Sequence, residues 1–121
     1  MGIAEPKKVE IYETEGGDIP YETWLDGLKD GATRARIEVQ IAKLRLGNLG
    51  RWKPVGEGVG EIVLDFGPGY RIYFAQLGTV IVLLLLGGDK RTQRKDIAAA
   101  KEYWADYQAR AKKEKSHGKI K

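Results

Sequence analysis

The sequence predicts an α+β domain: an N-terminal strand, a helical hairpin, a three-stranded antiparallel meander and a C-terminal helix. Three patterns lead there. Apolar residues recur at helical spacing in two successive segments, Tyr21 to Leu28 and Ile37 to Leu44. Residues 61–74 alternate apolar and polar side chains around a Gly67-Pro68-Gly69 turn signal. The run Val80 to Leu86 is apolar throughout, as a central strand buried on both faces requires. With 121 residues, 42% of them hydrophobic, the chain is long enough for one core without disulfides.

Each element has its own signal. Val9 and Ile11 alternate with Glu10 and Tyr12, the pattern of a strand with one buried face. Asp18 and Pro20 suit a helix start, because proline at the first helical position forfeits no hydrogen bond. Tyr21, Trp24, Leu25 and Leu28 then form an apolar stripe, and Gly31 is read as the break before the second helix. That helix carries Ile37, Ile41 and Leu44 on one face, with Arg34, Glu38 and Arg45 off it. Ile62, Leu64 and Phe66 alternate with Glu61, Val63 and Asp65. A three-residue loop at 67–69 would set Asp65 opposite Arg71 and Val63 opposite Tyr73, making Asp65–Arg71 a cross-strand ion pair. Gly87-Gly88 releases the third strand, Asp89 or Thr92 can cap, and Ile97, Ala100, Trp104, Tyr107 and Ala111 share one stripe of the last helix. Residues 1–109 are expected to form one domain, followed by a basic, flexible tail at 110–121.

Composition removes several chemistries. Cysteine is absent and His117 is the sole histidine, in a lysine-rich segment. Thiolate nucleophiles, Ser-His-Asp triads and histidine-based metal sites are therefore not expected, and neither is a cofactor. The N-terminal run MGIAEPKKVEIYE lacks the apolar core of a signal peptide, and 80–86 is too short to span a bilayer. A cytoplasmic setting without membrane contact is the expectation. The net charge of +4 is unevenly spread. Residues 1–30 hold three basic and eight acidic side chains, whereas 31–95 hold eleven basic and five acidic. Folding gathers the second set onto one domain, the footprint of a polyanion partner.

Cleaving RNA without a metal takes a base for the ribose 2′-hydroxyl, cations for the phosphorane and an acid for the leaving oxygen. A guanidinium suits the middle task because its planar fork binds two phosphate oxygens at once. Arg71 is the leading candidate, beside the hairpin turn, with Lys53 and Lys90 as further cations and Glu61 as the base. Arg91 and Gln93 are candidate RNA contacts, and Tyr73 and Trp52 offer faces on which bases could stack. The plainer reading of Lys53, before Pro54, is a solvated loop residue. Lys90 and Arg91 oppose the dipole at a helix start, which favours a functional reason for them.

Read together, WLDGLKD at 24–30, ATRARIEVQIAKLRLGNLG at 32–50, KPVGEGVGEI at 53–62, GPGYRIYF at 67–74 and LLLLGGDKRTQRKDI at 83–97 carry a resemblance. The sequence resembles the phage-derived addiction-module killer branch of the RelE/HigB/ParE toxin superfamily, over roughly two-thirds of its length. The resemblance implies a RelE-like small α+β fold and the toxin of a type II toxin–antitoxin system. It implies a ribosome-dependent mRNA endoribonuclease, neutralised by a cognate antitoxin of helix-turn-helix type. The arginine of the GYR motif falls on Arg71, where it would contact the scissile phosphate. The basic position after the last strand falls on Lys90 or Arg91, and Lys53 and Gln93 match the branch's pattern. Two alternatives go with the resemblance: a ParE-like, non-catalytic inhibitor of DNA gyrase, and a decayed toxin that retains only antitoxin or RNA binding.

Overall fold

The apolar run near residue 80 becomes the hub of the sheet. The computed structural model describes residues 5–119, with side chains as far as Glu114. Strands β1 (Lys8–Ile11), β2 (Trp52–Gly56), β3 (Val59–Val63), β4 (Arg71–Leu77) and β5 (Ile81–Gly88) form one sheet in the order β1-β5-β4-β3-β2. β1 runs parallel to β5, and the other neighbours are antiparallel. Helices α1 (Pro20–Asp26) and α2 (Gly31–Arg45) cover one face. A 3-10 turn (Lys90–Thr92) and α3 (Gln93–Lys119) follow β5, and α3 covers the other. The α+β class read from the sequence is the class of the protein.

Two cores result, one per face. Ile62, Ile72, Phe74, Val82 and Leu84 pack under Tyr21, Ile37, Ile41 and Leu44 of the hairpin. Val59, Tyr73, Ala75, Leu83 and Leu85 pack under Ala100 and Trp104 of α3. β5 serves both, with Val82 to Leu85 at most 1% exposed, which is why it carries no polar residue. Burying each such side chain stabilises the fold by about 1.5–3 kcal/mol. Midway along α3, Tyr12 donates to Asp106 at 2.5 Å and Arg110 donates to the Glu13 carbonyl at 2.6 Å. These contacts tie the helix to the chain leaving β1.

The structure departs from the sequence expectations at the joints. β2 is a strand although it contains Pro54, because it is the sheet's outermost strand, where a missing N–H breaks no ladder. α1 is preceded by Ile19 rather than Asp18 and ends at Asp26. Gly31 opens α2 instead of ending α1. Asp30 caps it, accepting from the Ala32 amide at 3.0 Å and the Thr33 hydroxyl at 2.9 Å, and these bonds hold its carboxyl below the usual range. The basic segment from residue 110 continues α3 to Lys119, and residues 120 and 121 lie outside those described. No helix among the described residues is long and apolar enough to cross a membrane.

Gly87 and Gly88 explain how both layers come so close to β5. A Cβ on Gly87 would lie 2.1 Å from the indole of Trp24 in α1. One on Gly88 would lie 1.8 Å from Oδ2 of Asp96 in α3. The pair therefore extends the strand while admitting a helix on either side, rather than ending it as the sequence suggested.

Candidate phosphate-binding cleft

Arg71 opens β4 directly after the 64–70 connection, and strand alternation places it with Tyr73 on the α3 face. Gly69, at φ +78°, passes between Arg71 and Lys90. A Cβ there would sit 2.9 Å from Arg71 Nη1 and 3.5 Å from Lys90 Cβ, and the positive φ is one that glycine adopts without strain. Arg71 Nη1 donates to the Gly69 carbonyl, and the Lys90 amide donates to the Pro68 carbonyl at 3.4 Å. Loop, arginine and lysine are thus tied together. They wall an open cleft of about 370 Å³ whose charged lining is Arg51, Asp65, Arg71 and Lys90.

Behind this cleft lies Glu61, with no exposed surface. β3 pairs it with Tyr73 on β4 and with Lys53 on β2. Its Oε2 accepts from the Tyr73 hydroxyl at 3.0 Å and from Gln93 Nε2 at 2.8 Å. Lys53 Nζ stands 3.8 Å from Oε1, and Arg71 Nε 3.7 Å from Oε2. Among the described residues neither Glu61 Oε1 nor Arg71 Nε has a hydrogen-bond partner. Burial first, then the Glu61 charge, push the Tyr73 phenol far above its ordinary value, so it stays a donor.

Several site expectations are corrected by this geometry. The register sets Arg71 opposite Val63 and Tyr73 opposite Glu61, two residues away from the pairing a three-residue loop would give. The connection is longer because the Leu64 amide still bonds the Tyr70 carbonyl, leaving 65–69 as the loop. Asp65 therefore pairs with Arg51 at 2.6 Å, not with Arg71. Glu61 is sealed from solvent and cannot reach a ribose hydroxyl. Tyr73 is likewise 0% exposed and has no face free for a base. Trp52 is 46% exposed, but it lies on the opposite sheet face, edge-on to Phe74 at 5.6 Å. Lys53 belongs to β2 rather than a loop, its side chain largely exposed above Glu61. Lys90 is in the cleft. Arg91 is solvated and paired with Asp89 at 3.0 Å, while Gln93 turns inward to Glu61.

Two members of the region had no signal in the sequence. Arg51 sits in a glycine-rich connection with no periodicity to mark its side, and only the β2–β3 pairing carries it to the cleft. Asp96 is 7% exposed on the first turns of α3, where the Thr92 hydroxyl donates to it at 2.5 Å. Burial pushes its carboxyl up, and the Thr92 bond opposes the shift. Asp89 caps the 3-10 turn by accepting from the Arg91 amide at 2.8 Å. The Arg91 guanidinium bond is the main cause holding its carboxyl down. Among the described residues no cluster of three or more His, Cys, Asp or Glu side chains could hold a metal ion.

No protein-family profile matches the chain. It is 43% identical to an uncharacterized protein of Haemophilus influenzae over 83 residues, 69% of this chain and 84% of the other. The chain belongs to the family of that protein.

Proposed function

We propose that this member of the family is the toxin of a type II toxin–antitoxin module, a metal-independent endoribonuclease that cuts messenger RNA on the ribosome. A cognate antitoxin would neutralise it in a bacterial cytoplasm. The observation that carries the reading is Arg71, a largely buried guanidinium that spends one Nη1 donor on the Gly69 carbonyl and turns its Nε to Glu61, in a cleft with two further cations. Buried arginines normally spend their donors on a carboxylate or on backbone. Here donors remain for two oxygens of a phosphate, in the bidentate geometry lysine cannot provide.

In this reading Asp65, the carboxylate in the cleft lining, takes the proton from the ribose 2′-hydroxyl. The freed oxygen attacks phosphorus while Arg71 and Arg51 bind the equatorial oxygens of the phosphorane. Lys90 gives a proton to the departing 5′-oxygen, leaving a 2′,3′-cyclic phosphate and a 5′-hydroxyl. The sequence resemblance to toxins of the RelE/HigB/ParE superfamily supports the same activity.

The full burial of Glu61 favours a second reading, since it removes one base from reach. The same cationic surface would then serve a non-catalytic inhibitor of DNA gyrase. Induced expression in a bacterial host separates the two. Primer extension on a reporter message should reveal new 5′ ends that vanish when translation is blocked. Intact messages with accumulating double-strand DNA breaks would establish the gyrase reading instead.

A further inference from the structure

Glu61 is fully desolvated, which is unfavourable for a carboxylate unless its neighbours compensate. Tyr73 and Gln93 satisfy Oε2 and fix the rotamer, yet Oε1 accepts no hydrogen bond from any described residue. Two cations from two different strands flank the carboxylate, Lys53 of β2 at 3.8 Å from Oε1 and Arg71 of β4 at 3.7 Å from Oε2. Arg71 is held on two sides, its Nη1 donating to the Gly69 carbonyl and its Nε turned to Glu61. A guanidinium has five N–H donors, so the Nη2 pair and the second Nη1 hydrogen are left for a ligand.

We propose that Glu61 is a positioning residue, holding the Arg71 guanidinium in place for a phosphate while exchanging no proton with the substrate. The inference rests on the reading of the cleft as a phosphate site. A carboxylate that cannot touch the substrate can still decide where the group that touches it points. Its charge also draws Arg71 back from any anion. Losing it should tighten phosphate binding while spoiling the geometry that catalysis needs.

The test follows the Arg71 Nε–Hε signal in ¹⁵N NMR, assigned by its loss in Arg71→Lys, with inorganic phosphate as the probe. In Glu61→Gln the signal should move and become less ordered, and phosphate should bind at least as tightly as to the wild type. RNA cleavage should fall by on the order of 10²-fold in kcat, the cost of about 1 Å of misplacement, without a rise in KM. Tyr73→Phe, which removes only the hydroxyl that holds Glu61, should give the same changes to a smaller degree. It also carries the test if Glu61→Gln does not fold. An unmoved Arg71 signal in a folded variant, or weaker phosphate binding matching the loss in kcat, overturns the proposal. If the wild-type signal ignores phosphate but still moves in Glu61→Gln, the phosphate-site reading falls and the coupling of Glu61 to Arg71 stands.

Discussion

Gly88→Ala tests whether α3 rests on β5 as closely as the structure has it. The added methyl would lie 1.8 Å from Asp96 Oδ2, 2.8 Å from its Cγ and 3.1 Å from Thr92 Oγ1. The first distance is about 1.5 Å inside normal contact, so the first turns of α3 must lift or Asp96 must leave its rotamer. Overpacking of this kind costs about 1–3 kcal/mol. Separating Asp96 from Thr92 leaves a buried acceptor unsatisfied, adding about 1–3 kcal/mol. A total near 3–4 kcal/mol is expected, or a fall in Tm of roughly 10–15 °C for a domain of this size. Urea and thermal unfolding, followed by circular dichroism, measure it. Gly78→Ala is the comparison: its Cβ meets nothing within 4 Å, and its φ of +64° leaves only backbone strain, about 1–2 kcal/mol. Asp96→Ala in the Gly88→Ala background should recover at least about 1 kcal/mol, because the clash is removed with its partner. If Gly88→Ala costs no more than Gly78→Ala, or if the double variant is simply additive, the packing described for α3 is wrong.

Arg71→Ala should keep a native circular-dichroism spectrum and lose about 10²–10³ in cleavage rate, with Arg71→Lys recovering little, as read by toxicity and RNA cleavage assays. Asp65→Asn should abolish cleavage while RNA binding, measured by fluorescence anisotropy, stays unchanged or strengthens. Because burial raises the Asp96 carboxyl, the folded protein holds a proton that the unfolded chain releases. This contribution is complete below the ordinary aspartate value of about 3.9 and is lost as pH rises through the raised one. The urea midpoint of Asp96→Asn minus that of the wild type should therefore grow from about pH 4 toward neutrality. A constant difference would refute the raised value. Removing 112–121 should leave cleavage chemistry intact and lower only general RNA affinity and its salt slope.

What repeats locally was legible in the amino-acid order. The stripes of α1, α2 and α3 and the apolar run of β5 announce their elements, because periodicity follows from backbone geometry without knowledge of any partner. That order also named Arg71 and Lys90, which the structure brings to one cleft, because a guanidinium beside a glycine turn is a local fact. Alternation placed Arg71 and Tyr73 on one sheet face, but it carries no information about depth. Glu61 and Tyr73 therefore read as available chemistry, although α3 seals both.

The β3–β4 register, and with it the partner of Asp65, depends on how a loop closes, and one GPG motif fits more than one closure. β2 was hidden by Pro54, whose meaning changes with position in the sheet and so cannot be judged before the sheet exists. Gly87 and Gly88 read as a break, and only the two helices above and below them turned that signal into a packing requirement. Arg51, Asp96 and the cradle of Glu61 were decided by tertiary structure alone, because each depends on contacts between residues distant in sequence.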